Sequence, residues 1–163
     1  MLLTPAILHS TARGASTASY VTFGGRYHAE QEELEELPFG EGDTAYGLAY
    51  EYHEQHAAWQ LGATYCSDLT GDTSVDYAIT PELNLITKDR FWRGGAGILY
   101  SYLDREDDQE WVGPYWQFLF GIDLPIMGGS LQARTYYDFE DIDELDEFDL
   151  GKLDYGAWIS FSF

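Results

Sequence analysis

The last ten residues, Asp154-Tyr155-Gly156-Ala157-Trp158-Ile159-Ser160-Phe161-Ser162-Phe163, alternate in the manner of a β-strand and end on a phenylalanine. Tyr155, Ala157, Ile159, Phe161 and Phe163 share one face. Chain ends in water are usually polar and frayed, and exposed phenyl rings there gain nothing from solvent. The aromatic face therefore calls for an apolar medium. No run approaches the ~18–20 consecutive apolar residues that a membrane helix needs, and the mean hydropathy is only −0.31. A membrane crossed by this chain is crossed by strands.

Period-two alternation can be followed over eight segments of about ten residues each, the length of a bilayer-spanning barrel strand. The first, about 19–29, sets Val21, Phe23 and Tyr27 against Thr22, Gly24 and Arg26. The second, 44–53, sets Tyr46, Leu48, Tyr50 and Tyr52 against Gly47, Ala49, Glu51 and His53. In the third, 57–66, Trp59, Leu61, Ala63 and Tyr65 oppose Gln60, Gly62 and Thr64. The fourth, 75–86, has Val75, Tyr77, Ile79, Leu83 and Leu85 against Asp76, Thr80, Glu82 and Asn84. The fifth, 91–102, has Trp92, Ala96, Ile98, Tyr100 and Tyr102 against Arg93, Gly95, Gly97 and Ser101. The sixth, 111–124, sets Val112, Trp116, Phe118, Phe120, Ile122 and Leu124 against Gly113, Gln117, Gly121 and Asp123. The seventh, 130–139, sets Leu131, Ala133, Tyr137 and Phe139 against Gln132, Arg134 and Asp138. The terminal strand is the eighth. The expected fold is an all-β, eight-stranded antiparallel up-and-down transmembrane barrel over residues 19–163.

Alternation alone does not say which face points outward, since a soluble lipocalin-like barrel alternates equally well with its apolar face inside. The polar face decides. A solvated face would be rich in lysine and glutamate, yet glycines recur on it, and the only lysines, Lys88 and Lys152, lie at strand ends. Small residues suit a crowded interior, so the polar face is read as a filled lumen and the apolar face as the lipid side. The 13 tyrosines and 5 tryptophans outnumber the 9 phenylalanines, as two interfacial belts would require.

Connections alternate in length. The stretches 30–43, 67–74, 103–110 and 140–151 are long, whereas 54–56, 87–90 and 125–129 are short, the asymmetry expected of short inner turns and longer outer loops. Most of the 29 acidic residues fall in the long connections. One mouth is therefore strongly anionic, which accounts for the net charge of −21 and argues against nucleic acid as a partner. Residues 1–18 begin with a short apolar run and reach the small residues Ser16-Thr17-Ala18 without a basic stretch in front, so they read either as a signal-peptide remnant or as an N-terminal extension. Cys66 is the single cysteine and forms no internal disulfide.

The terminal strand also carries a position-specific pattern. Asp154, Gly156, Ile159 and Phe161, followed by the final Phe163, resemble the assembly signal on the last strand of Gram-negative outer-membrane barrels. In size, strand number and loop asymmetry the chain is similar to the small eight-stranded barrels of the OmpX and OmpA-transmembrane-domain kind. The resemblance implies a monomer in the bacterial outer membrane, with outer-membrane lipid and the barrel assembly machinery as partners. Function varies widely among such barrels and does not carry over.

Candidate chemistry lies in the lumen and the loops. The parity of the strands places Arg26, Arg93 and Arg134 inside with Glu51, Asp76, Glu82, Asp123, Asp138 and Asp154, and counting back from the 87–90 turn sets Glu82 near Arg93 as an internal ion pair. Mutual neutralisation in a packed interior is the structural reading; a proton or ion path is the alternative. Catalysis at the rim finds little support: the adjacent pair His9-Ser10 precedes the barrel, His28 ends a strand on the long-loop side, and His53 and His56 sit at the opposite end. No catalytic residue and no enzyme activity is expected. The acidic run could supply carboxylates to Ca2+ or Mg2+, with Asp138, Glu140, Asp141, Asp143 and Glu144 as ligands, but its spacing is not that of an EF-hand, and no other cofactor is indicated. The expected role is that of a structural or surface-interaction barrel, with cation binding or docking of a cationic partner at the acidic loops. A small channel, a lipid-modifying outer-membrane enzyme and a soluble lipocalin-like barrel are the alternatives.

Overall fold

A computed structural model describes residues 17–29, 37–106, 108–141 and 149–163. Residues 1–16 lie outside it, so the signal-peptide question falls outside the described residues. Eight strands follow one another along the chain: β1 (Ala18–Tyr27), β2 (Thr44–His53), β3 (Ala57–Ser67), β4 (Val75–Asp89), β5 (Trp92–Arg105), β6 (Gln109–Ile126), β7 (Gly129–Phe139) and β8 (Asp154–Ser162). Each pairs antiparallel with its sequence neighbour, and β8 returns to β1 with Tyr155 opposite Tyr27 and Ser162 opposite Tyr20, which closes the barrel. Closure leaves no strand edge unpaired.

Three connections are tight, at 54–56, 90–91 and 127–128, and they define the turn end. The strand ends that lead into the connections 28–43, 68–74, 106–108 and 140–153 lie at the opposite, loop end. The third of these is shorter than the sequence suggested, because β5 and β6 stay paired out to Asp104 and Gln109. The stretch 103–110 is therefore mostly hairpin, and its acidic residues Asp104 and Glu110 stand on strands.

Apolar side chains face outward around the ring. Leu61 is 62% exposed, Leu48 59% and Phe120 55%, while Thr22, Glu51, Gln60, Asn84, Gln117 and Asp154 are fully buried on the inner face. This is the reverse of a lipocalin-like soluble barrel, whose apolar face lines its interior. The all-β, eight-stranded up-and-down barrel is thus the architecture, with its polar parity inside.

Two irregularities flip residues that the alternation misplaced. The pairing of β5 with β6 passes from Leu99–Tyr115 to Ser101–Val112, so Gly113 and Pro114 together oppose Tyr100. This β-bulge turns Val112 into the barrel and leaves Gly113 exposed, not luminal, while Tyr115 keeps the inward parity of Gln117 and Leu119. Gly113 adopts φ +108°, a left-handed conformation that favours glycine. A second shift lies between Val75 and Tyr77 on β4. It leaves Asp76 exposed at the loop end and buries Val75, against the expected positions of both. Tyr137 and Phe139 keep the outward parity of β7 but are buried, with the Phe139 ring 5.1 Å from that of Phe118.

Candidate functional site: the filled lumen

The turn-end half of the lumen is built around Glu51 of β2. Its Oε1 accepts hydrogen bonds from Arg134 Nη2 at 2.7 Å, Gln60 Nε2 at 2.8 Å, Arg93 Nη1 at 3.2 Å and Thr22 Oγ1 at 3.3 Å. Its Oε2 lies 2.7 Å from His53 Nε2. Strands β1, β2, β3, β5 and β7 thus converge on one carboxylate. Arg93 turns its other nitrogen to Asp123 on β6 at 2.6 Å, and Lys88 Nζ approaches the same oxygen at 3.6 Å. Amides extend the network: Asn84 Nδ2 donates to Gln60 Oε1 at 2.9 Å, and Gln117 Nε2 donates to Asn84 Oδ1 at 2.9 Å and to Glu82 Oε2 at 3.0 Å.

The expected Glu82–Arg93 pair does not form. The β4–β5 hairpin turns at Arg90 and Phe91, so Lys88 stands opposite Arg93 and Leu99 opposite Glu82. Arg93 is bound by Glu51 and Asp123, and Glu82 by Gln117.

A second network occupies the loop end. Arg26 Nε donates to Asp154 Oδ2 at 2.8 Å and Nη2 to Asp138 Oδ2 at 2.5 Å, while its guanidinium lies 4.4 Å from the Tyr136 ring centre. Asp154 Oδ1 accepts the backbone N–H of Ala29 at 2.8 Å, and Oδ2 lies 2.8 Å from His28 Nδ1. The His28 ring stacks on Phe39, centroids 4.0 Å apart and planes 2° from parallel. Burial pulls the imidazole below its ordinary pKa, against the opposing pull of Asp154. The one rim histidine proposed from sequence is therefore buried against Phe39 of the 37–43 stretch.

The 37–43 stretch folds into the mouth. Leu37 and Phe39 join Leu69, Val75, Leu103 and Tyr115 in an apolar cluster. Asp43 pins the arrangement, accepting from Gly40 N at 2.7 Å, Thr70 N at 3.0 Å and Thr70 Oγ1 at 2.8 Å. Asp72 N donates to Pro38 O at 3.1 Å. Asp43 went unnoticed in the sequence as one acid among many, since Thr70, the source of two of its donors, lies in the next connection.

Glycines make room for these side chains. A Cβ on Gly97 would overlap Asn84 Oδ1, and one on Gly156 would lie 2.6 Å from the Trp158 indole nitrogen. Trp158, buried on the inner parity of β8, extends toward Arg134, whose guanidinium lies 5.6 Å from its ring. The terminal pattern thus divides between faces: Asp154 and Gly156 serve the lumen, while Phe161 and Phe163 are exposed outside.

Of the suggested cation ligands, Asp138 is engaged by Arg26 inside the barrel, which removes it from an outward-facing site. Glu140 and Asp141 are exposed at the loop end, and Asp143 and Glu144 lie outside the described residues. Among the described residues no cluster of three or more His, Cys, Asp or Glu is arranged to hold a metal. At the turn end a recess of about 210 Å³ is lined by Tyr20, Lys88, Arg90, Asp123 and Ser130; above it lies the Glu51 network.

No protein-family model matches the sequence, and no curated protein does so. Among solved structures, the crystal structure of Neisserial surface protein A (NspA) matches with a TM-score of 0.48 and 12% identity, over 92% of this chain and 99% of that one.

Proposed function

We propose that the chain is a small barrel of the bacterial outer membrane, a structural or surface-interaction protein whose lumen is closed and whose acidic connections face outward. The observation that carries this reading is orientation: a continuous apolar exterior surrounds an interior of paired charges. Water could not stabilise that exterior, whereas hydrocarbon requires a closed, edge-free sheet of this kind. The Glu51 and Asp154 networks set each buried guanidinium against carboxylates and brace the strands, and their side chains fill the described lumen. Insertion by the barrel assembly machinery, and a monomeric state, belong to the same proposal.

Membrane fractionation followed by gel migration before and after boiling tests it. A detergent-extractable protein whose mobility changes on heating is expected; material that stays monomeric in plain buffer would overturn the reading. Planar bilayers test the closed lumen separately, where a large selective current would contradict it. For the loop end, calcium at millimolar concentration is the probe of the cation reading, and the absence of both heat and a thermal shift would remove it.

A further inference from the structure

The height of the apolar exterior is not the same all round the barrel. On β2 the outward residues run from Tyr46 to Tyr52 and are bounded by exposed Thr44 and Glu54. On β3 the corresponding run of exposed residues is Trp59 to Tyr65, with the small, half-buried Ala57 beyond Trp59 and the exposed Ser67 beyond Tyr65. Six residues separate the ends of each run. With a rise of ~3.3 Å per residue and a tilt of ~40°, this amounts to about 15 Å along the membrane normal. On β5 the outward run from Trp92 to Tyr102 covers ten residues before Asp104, about 25 Å by the same geometry. On β6 it extends from Trp111 past Ile126. In the ring of eight strands β2 stands opposite β6, so the exterior is a wedge, short on one side and long on the other.

We infer that this barrel thins the bilayer beside β2 and β3 while leaving it at ordinary thickness beside β5; the inference rests on the membrane reading above. The β5 run matches the ~25 Å apolar band usual for such barrels. Lipid beside β2 and β3 must either compress or bring hydrocarbon against Thr44 and Glu54, and bilayers answer a short span by thinning. Tilting the whole barrel shifts the heights of the two sides without lengthening the short one. The aromatic residues support the boundaries: Tyr46 lies opposite Tyr65 at the loop end and Tyr52 opposite Trp59 at the turn end, two interfacial rows set close together.

The test uses the full chain in vesicles of phosphatidylcholine with 12- or 18-carbon chains, with the urea midpoint read by tryptophan fluorescence. The wild type should show a higher midpoint in the thin bilayer. The double variant Thr44→Leu/Glu54→Leu, which lengthens the short side, should lose at least half of that difference, and Asp104→Leu on the long side should retain it. Thr44→Leu alone, at an exposed position, gives the same reading in smaller measure should the double variant fail to fold. Equal midpoints in both lipids, equal effects of the two sides, or a chemically cross-linked dimer through β2 and β3 would overturn the inference. Failure of the wild type to enter either vesicle would instead overturn the membrane reading itself.

Discussion

Arg134 on β7 donates to Glu51 on β2 at 2.7 Å, across the lumen and 83 residues along the chain. Glu51 also receives Arg93, so a single carboxylate holds two guanidiniums that are each almost fully buried. Replacing a buried ion pair with apolar groups is often neutral, but removing one partner strands the other charge.

Glu51→Gln should therefore lower stability by about 3–5 kcal/mol. The measurement is urea unfolding in detergent micelles, and a loss below about 1 kcal/mol would mean that water or neighbouring amides compensate. Arg93→Ala should likewise destabilise the barrel without raising its conductance.

His28 gives stability a pH dependence whose sign follows from its lowered pKa. Below the unfolded value of 6.5 the unfolded chain binds a proton that the folded chain refuses. The contribution is complete above pH 6.5 and is lost as pH falls from there toward the lowered folded value. The urea midpoint at pH 5.5 should lie below that at pH 7.5, by a smaller margin in His28→Gln. An equal margin in wild type and variant would assign the effect to other groups.

Leu61→Arg puts a charge on the outward face of β3, at a position 62% exposed. Near the bilayer midplane such a change costs about 2–4 kcal/mol. Unfolding from lipid vesicles should register that loss. A soluble barrel would tolerate the substitution, so an unchanged midpoint would count against a hydrocarbon surrounding.

Asp43→Ala removes the acceptor shared by Gly40 and Thr70. Three donors at the loop end lose their partner, and the 37–43 stretch should open locally while the barrel stays folded. Limited proteolysis should then cut this stretch faster, with heat-modifiable migration preserved. Unaltered cleavage would show that the apolar contacts of Leu37 and Phe39 suffice to hold it.

Much of this architecture is legible in the residues themselves. Side-chain direction in a strand repeats every two residues, so Leu48, Leu61 and Phe120 could be assigned outside, and Glu51, Arg93 and Arg134 inside, without knowledge of any partner strand. Glycine on the inner parity told which face was crowded, and the short turns told which strands were neighbours. All of these are properties of a segment and its immediate surroundings.

Charge partners were not legible, because they depend on register. Glu82 and Arg93 were placed together on a four-residue turn, while the hairpin reverses at Arg90 and Phe91 and sets Lys88 opposite Arg93. Bulges act in the same way: one extra residue at Gly113-Pro114 carried Val112 inside and Gly113 outside, and the shift beside Val75 put Asp76 outside. Alternation in the chain determined strands, faces and the closed order of the sheet. Only the tertiary structure decided which buried ions meet, since that requires the relative stagger of strands distant in sequence, and a one-residue slip reverses every side chain beyond it.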